Sequence, residues 1–235
     1  MQKRTKIITI SIVAGALVLG ATAAVAGPII YRDLIVGEAD AAPSVTAAPS
    51  STNDTGAHTG ASDLSGDWAV TEGSFSGYRV DEVLNGTDVT VTGRTSDVTG
   101  TLTVDELTLT SASLEVDVAS IATDSGNRDE YFRSNAMRTG EFPTATFVLT
   151  EPVAVDAAPT VGEVQTVQAT GELTLAGVTR TVTVDLEAVL NGADGQVAGS
   201  IPITFADFGV EAPNLGFVSV EPDGFVEFSL VITRP

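Results

Sequence analysis

The sequence predicts an all-β domain, an eight-stranded antiparallel barrel with one short helix, preceded by an N-terminal transmembrane helix. Three observations support this prediction. From Asp67 onwards, apolar and polar residues alternate with period two, which is typical of strands with one buried face. Asn-Gly and Asp-Gly pairs, which favour tight hairpin turns, separate several of these runs. Only one segment has helical character, and one long uncharged run lies near the N-terminus.

The uncharged run, residues 7–26, is the predicted membrane anchor. A helix of about 20 residues spans the roughly 30 Å hydrocarbon core of a bilayer. A basic tail, residues 1–6, precedes it and is predicted to stay in the cytoplasm. The competing interpretation is a signal peptide, because Ala24–Ala26 is an acceptable cleavage sequence. The first interpretation predicts a single-pass membrane protein with its C-terminal domain outside, and the second predicts a secreted domain.

Residues 27–64 are predicted to form a flexible linker. They are rich in Ala, Ser, Thr, Pro and Gly and contain too few bulky apolar residues to form a core. His58, the only histidine of the chain, lies here and is interpreted as a spacer residue, not as a metal ligand or a catalytic group. The folded domain is predicted to occupy residues 65–235.

Period-two alternation indicates about eight strands across this domain. Asn85-Gly86, Asn191-Gly192 and Asp194-Gly195 mark turns, and Gly93 is predicted to bend one strand. Eight antiparallel strands close into a barrel whose interior holds side chains or one small ligand.

The single helix is predicted over Arg128–Arg138. Asn127 is its predicted N-cap, and Glu130 stands three residues further on, where its side chain can reach back to the cap. Gly140 is predicted to end the helix, and Pro143 prevents its return. One short helix inserted into an all-β chain is a candidate lid or plug for the barrel.

The formal net charge of −20 lies entirely in residues 61–235, because residues 1–60 are neutral. A domain this acidic repels the nucleic-acid backbone, so no nucleic-acid partner is predicted. The same charge is also consistent with a solvated acidic shell that serves solubility. The chain has no cysteine, which excludes disulfides, thiolate chemistry and a lipid-modified cysteine anchor.

The residue inventory argues against an enzyme. The domain has no His, Cys or Lys, so histidine base catalysis, thiolate attack and Schiff-base chemistry are absent. Asp81-Glu82 and Asp105-Glu106 are adjacent carboxylates, which point to opposite faces of a strand and do not form a facing pair. A carboxylate pair built across two strands stays open. No cofactor and no metal site are predicted.

The inward positions of the alternation are apolar, and several are small: Gly100, Ala112, Ala145, Ala169, Gly171 and Gly199. Small inward residues leave volume for an apolar cavity; alternatively, they only accommodate the taper of the barrel. The candidate cavity residues are Tyr78, Val80, Leu102, Leu114, Val116, Phe147, Leu173, Val184, Leu186, Ile203, Phe228 and Leu230, with Phe132 on the helix.

Three of the seven arginines of the domain, Arg128, Arg133 and Arg138, fall in the predicted helix. In so acidic a domain they form a local basic patch. They are candidates for contact with a lipid headgroup or a membrane surface. The structural alternative is that they pair with carboxylates at the barrel rim.

Three stretches carry a resemblance to a known family. The first contains a small-polar turn followed by Arg128, Asp129, Phe132, Arg133, Phe142, Pro143 and Phe147. The second and third are GELTLAGVTRTVTVDL at Gly171–Leu186 and SIPITFADFGV at Ser200–Val210. In this order they resemble the YceI-like family of bacterial lipocalin-like, polyisoprenoid-binding proteins, over roughly residues 65–235. Trp68 and the GSFSGYRV run resemble actinobacterial members. One departure is the turn Ala176-Gly177, where many relatives have a histidine.

The resemblance implies a lipocalin-like barrel that binds a long apolar lipid, a polyisoprenoid or an isoprenoid quinone. Both interpretations of residues 7–26 predict that this domain lies outside the cytoplasm. The alternative is a ligand-free structural or adhesive surface domain with a filled barrel. The predicted partners are that lipid and, through the uncharged run at residues 7–26, the membrane. The oligomeric state stays open.

Overall fold

The computed structural model describes residues 39–47 and 64–235. The predicted transmembrane segment, residues 7–26, lies outside these ranges, as does most of the predicted linker. Within the described ranges, no helix is both long enough and apolar enough to cross a membrane.

The domain contains eleven strand segments and one short helical segment. The strands are β1 (Gly66–Val70), β2 (Phe75–Leu84), β3 (Thr87–Thr95), β4 (Val98–Asp105), β5 (Thr108–Asp117), β6 (Thr144–Leu149), β7 (Val153–Ala154), β8 (Gln165–Leu175), β9 (Val178–Asn191), β10 (Asp194–Thr204) and β11 (Val218–Thr233). The helical segment has an α-helical turn, α1 (Gly126–Tyr131), followed by a π-helical turn, Phe132–Ala136. Single 3-10 turns lie at Val118–Ser120 and Phe205–Phe208.

These segments form one closed antiparallel barrel of eight strands. β1 and β2 are successive parts of one strand, since β1 pairs with β11 and β4, and β2 pairs with β11 and β3. β3 and β4 are likewise two parts of the next strand, and β7 adds only a two-residue pairing to β5. The remaining strands follow in the order β5, β6, β8, β9, β10 and β11, and the pairing of Ala69 with Thr233 closes the ring. The predicted eight-stranded antiparallel barrel is therefore confirmed.

The bend between β3 and β4 does not lie at Gly93, as predicted, but at Ser96-Asp97. There the Asp97 N–H donates to the Thr95 hydroxyl at 2.9 Å, and the Val98 N–H donates to the Ser96 carbonyl at 2.9 Å. Gly93 lies inside β3 and serves a different purpose. A Cβ at this position would come within 2.5 Å of the Tyr78 ring, so the glycine makes room for that ring.

The helical segment begins two residues earlier than predicted. Its N-cap is Ser125, not Asn127, and no side chain caps it. The start is held instead by Asp129, whose carboxylate accepts from the Thr123 N–H at 2.9 Å and from its hydroxyl at 2.7 Å. Glu130 does not reach back to the cap; it accepts from the Ser134 hydroxyl at 2.7 Å. A short polar side chain one turn into the helix has therefore replaced the expected capping box.

The helical segment also ends earlier than predicted, at Ala136. The Met137 N–H donates to the Phe132 carbonyl, an i→i+5 contact typical of a π turn. Arg138, with φ of +50°, then takes a left-handed conformation, so the helical segment ends before Gly140. Short π turns occur often at functional sites, and this one carries Phe132 towards the barrel interior.

The helical segment packs against the main apolar core of the barrel. Val118, Ile121 and Met137, which flank it, are buried in the same apolar cluster as Leu173 and Leu230 of the barrel wall. A burial of this kind holds a short helix that would be unstable alone.

Candidate functional site

The barrel encloses an apolar cavity of about 390 Å³. The cavity runs along the barrel: Leu64, Leu109 and Val153 line it towards one end, and Phe205 and Val210 line it towards the other. Cavities of roughly 300–1,000 Å³ with mainly apolar walls are typical of small-molecule sites.

All thirteen predicted cavity residues line this space. They are Tyr78, Val80, Leu102, Leu114, Val116, Phe132, Phe147, Leu173, Val184, Leu186, Ile203, Phe228 and Leu230. The twelve that lie on strands converge because every second residue of a strand faces the same side of the sheet, and Phe132 reaches the cavity from the π turn. Whether they bind a ligand stays a prediction.

The small inward residues behave in two ways. Ala112, Ala145 and Ala169 line the cavity, as expected if small side chains leave volume. The glycines instead receive neighbouring side chains: a Cβ on Gly171 would lie 2.4 Å from the Phe147 ring, and one on Gly199 would lie 2.7 Å from the Phe228 ring. Both sequence interpretations therefore apply, each to different positions. The alanines leave space, and the glycines seat the rings that shape it.

One charged pair borders the cavity. The Arg128 guanidinium contacts the Glu82 carboxylate at 2.9 Å and the Asp124 carboxylate at 2.6 Å. Glu82 is 5% exposed, and its side chain points inward on β2. Burial lowers the pKa of Arg128, but the hydrogen bond to Glu82 and the charges of both carboxylates outweigh this, so the net shift is upward. The guanidinium therefore stays charged at the cavity wall.

An aromatic pair lies beside these charges. The rings of Tyr78 and Phe132 stack with centroids 4.8 Å apart and planes inclined by 17°. Burial raises the pKa of the Tyr78 phenol, an effect that Arg128 opposes in part. The phenol is therefore neutral at physiological pH and can donate a hydrogen bond.

Of the three predicted headgroup residues, only Arg128 lines the cavity. Arg133 contacts Glu130 at 3.7 Å on the outside of the helical segment. Arg138 donates to the Ala176 carbonyl at 3.4 Å and lies over the Phe142 ring. The three arginines therefore do not face the cavity as one patch, and carboxylates contact two of them.

Sequence reasoning missed Glu82 as a cavity residue, although the signal was present. Tyr78 and Val80 were assigned inward, and the same alternation places Glu82 inward and Asp81 outward. The structure agrees, with Asp81 exposed and accepting from the Thr90 hydroxyl at 2.6 Å. Trp68, 3% exposed, also lines the cavity near one end, and its indole N–H donates to the Leu64 carbonyl at 3.0 Å.

Residues 57–232 match the family model of the YceI-like domain. The chain belongs to the YceI-like family. A polyisoprenoid-binding domain from Saccharophagus degradans implicated in plant cell wall breakdown is 23% identical, with a TM-score of 0.59 over 72% of this chain and 98% of that one. BcnA from Burkholderia cenocepacia is 24% identical, with a TM-score of 0.51 over 66% of this chain and 95% of that one. At these identities the similarity shows the fold. A comparison with curated proteins gave no significant match.

The residues that carry the YceI-like resemblance also fix the helical segment to the barrel. Arg128 binds Glu82 of β2, Asp129 holds Thr123, and Phe132 stacks on Tyr78. The turn Ala176-Gly177 is the one that differs from the family pattern. Ala176 has φ of +47°, and Gly177 lies against the Phe142 ring. In this YceI-like domain, Phe142 therefore packs against the turn, which has no histidine. The actinobacterial affinity of the chain stays a prediction.

Proposed function

We propose that this YceI-like barrel binds a long apolar lipid, a polyisoprenoid or an isoprenoid quinone, outside the cytoplasm. The observation that carries the proposal is the apolar cavity of about 390 Å³ inside a closed barrel. The Saccharophagus degradans relative of the same fold is a polyisoprenoid-binding domain, which supports the same ligand class. The proposed activity is binding and not catalysis.

The free energy of binding is expected to favour long isoprenoid chains over short ones. Each buried CH₂ contributes roughly 0.8 kcal/mol, so a five-carbon isoprene unit contributes about 4 kcal/mol. Association and chain ordering cost on the order of 4–15 kcal/mol. One or two units therefore only break even, and affinity is expected to rise with chain length until the cavity is full.

The polar wall favours a neutral headgroup. Arg128 has five N–H donors, and its contacts with Glu82 and Asp124 leave others for an uncharged oxygen such as a quinone carbonyl or an alcohol. An anionic headgroup would meet the two carboxylates that already hold Arg128. We therefore propose that, of the three arginines in the basic patch, Arg128 contacts the lipid and that it binds an uncharged polar headgroup.

A fluorescence titration tests the proposed function. Trp68 is the only tryptophan of the chain and lines the cavity, so its emission reports occupancy directly. Quinones or polyprenols of increasing isoprenoid length are expected to bind with affinity that rises and then levels off. Undetectable binding at every length, or affinity that is independent of length, would favour the filled structural barrel instead.

We also propose a single-pass topology, with residues 1–6 in the cytoplasm, residues 7–26 in the membrane and the barrel outside. The basic tail and the uncharged run support it. Cell fractionation with N-terminal sequencing tests it: the full chain is expected in the membrane fraction. A mature protein that begins at Gly27 in the soluble fraction would contradict the anchor and support signal cleavage.

A further inference from the structure

Residues 39–47, which belong to the predicted linker, lie against the outer wall of the barrel. At one end, Arg79 donates to the Asp40 carbonyl and Arg94 to the Ala41 carbonyl, each at 2.7 Å. At the other end, the segment reaches β9 and β10, on the opposite side of β11. This part of the predicted linker is therefore packed on the domain.

The contacts at the second end are also hydrogen bonds to the peptide backbone. The Val45 N–H donates to the Glu187 carboxylate at 3.2 Å, and the Thr46 N–H donates to the Gln196 side chain at 2.8 Å. The Asn191 amide donates to the Thr46 carbonyl at 3.1 Å.

Neighbouring side chains of the outer wall hold the two arginines in position for these contacts. Glu227 points outward on β11 yet is only 2% exposed, and Arg79 contacts it at 2.6 Å. Arg94 is held by Phe75, whose ring lies 4.4 Å from the guanidinium carbon. Two arginines are thus oriented with donors directed towards the segment, while Glu187 and Gln196 supply acceptors further along.

The chemistry of this wall selects an extended peptide. Backbone carbonyl and N–H groups of the segment make most of the contacts, and the Asp40 carboxylate adds an ion pair with Arg94 at 3.2 Å. Pro43 and Val45 are half-buried, while Ser44 between them is exposed. Alternation of this kind is typical of an extended chain with one face on a surface.

We propose that Arg79, Arg94, Glu187, Asn191 and Gln196 form a peptide-binding site on the outer wall, and that its occupant is residues 39–47 of the same chain. Sixteen residues, 48–63, join the occupant to the barrel. A connection this short gives an effective concentration in the millimolar range, so individually weak hydrogen bonds suffice. The site lies on the opposite face of the wall from the lipid cavity and does not depend on it.

The docked segment has a mechanical consequence, which rests on the proposed membrane anchor. Docking leaves residues 27–38 as the connection between the anchor and the barrel. Twelve extended residues reach at most about 40 Å, whereas the whole of residues 27–64 would reach about 130 Å. The docked segment therefore keeps the barrel close to the membrane surface.

Residue-resolved amide hydrogen exchange of the full chain tests the site. In the unaltered protein, the Val45 and Thr46 amides are expected to exchange at least about tenfold more slowly than in a free peptide of residues 39–47. The double variant Glu187→Ala/Gln196→Ala removes both acceptors and is expected to abolish this protection, while exchange in the barrel strands stays unchanged.

A matched variant controls for general loosening of the barrel. Glu172→Ala/Gln168→Ala alters the outer face of β8, which makes none of the hydrogen bonds described for residues 39–47, and is expected to leave Val45 and Thr46 protected. Unprotected Val45 and Thr46 amides in the unaltered protein would overturn the proposal, as would protection that persists in Glu187→Ala/Gln196→Ala. No lipid takes part in the measurement, so its outcome is independent of the proposed lipid binding.

Discussion

Replacing Arg128 with alanine is expected to lower the free energy of unfolding by about 3 kcal/mol. The substitution leaves Glu82, which is 5% exposed, without its charged partner at the cavity wall. An uncompensated buried carboxylate is more costly than a lost surface ion pair, and the 20% exposure of Arg128 places the effect at the lower end of the usual range. Urea denaturation of both proteins measures the difference.

Two further variants separate the ion pair from general disruption. Arg180→Ala removes an arginine that is exposed on β9 and is expected to change stability by less than about 0.5 kcal/mol. The double variant Glu82→Gln/Arg128→Gln removes both charges together and is expected to recover much of the loss. If Arg128→Ala were no less stable than Arg180→Ala, the helical segment would not be held by this pair.

Replacing Ala145 with phenylalanine is expected to weaken binding of a long polyprenol at least about tenfold while leaving the barrel folded. Ala145 lines the cavity from β6, so the added ring occupies space that the lipid needs. Because the ring enters a cavity and not a filled core, the free energy of unfolding is expected to change by less than about 1.5 kcal/mol. Trp68 fluorescence measures binding, and urea denaturation measures stability.

Val148→Phe provides the matched control for this substitution. Val148 lies three residues further along the same strand, points outward and is 44% exposed. The same ring is added there without entering the cavity, so polyprenol affinity is expected to stay unchanged. Equal affinity in Ala145→Phe and the unaltered protein would show that the lipid does not enter the barrel.

The barrel and its lining could be predicted from the sequence because period two assigns every residue of a strand to one face. That rule assigned to the inward face the twelve strand residues that line the cavity. Applied one step further along β2, it also assigns Glu82 inward. The taper of the barrel could not be predicted residue by residue. Whether Gly171 or Ala169 leaves volume depends on which ring of the neighbouring strand turns towards it.

The helical segment was predicted less accurately, because residue spacing does not decide which of several polar side chains holds the start of a helix. Asn127 and Glu130 have the spacing of a capping box, but the Asp129 carboxylate and Thr123 hold the start. The neighbours of the three arginines could not be predicted either. Charge along one helix does not reveal the carboxylates that other elements bring to it, such as Glu82 from β2.

The docked part of the linker could not be predicted from composition. Residues 39–47 have the small, polar character of a flexible spacer, and their contacts are made by backbone groups that every sequence carries. The signal lies on the barrel, where Arg79 and Arg94 project from the outer wall, and it is recognisable only once the strands are placed.

Native mass spectrometry of the full chain, before and after addition of a long polyprenol, tests the central claim most directly. The unaltered protein and Val148→Phe are expected to retain one polyprenol per barrel, which organic extraction then recovers. Ala145→Phe, which has the same N-terminal segment, is expected to retain much less, and this separates cavity binding from adsorption to residues 7–26. A folded, unaltered protein that retains no apolar molecule, or retention that is equal in Ala145→Phe, would contradict a lipid-binding cavity.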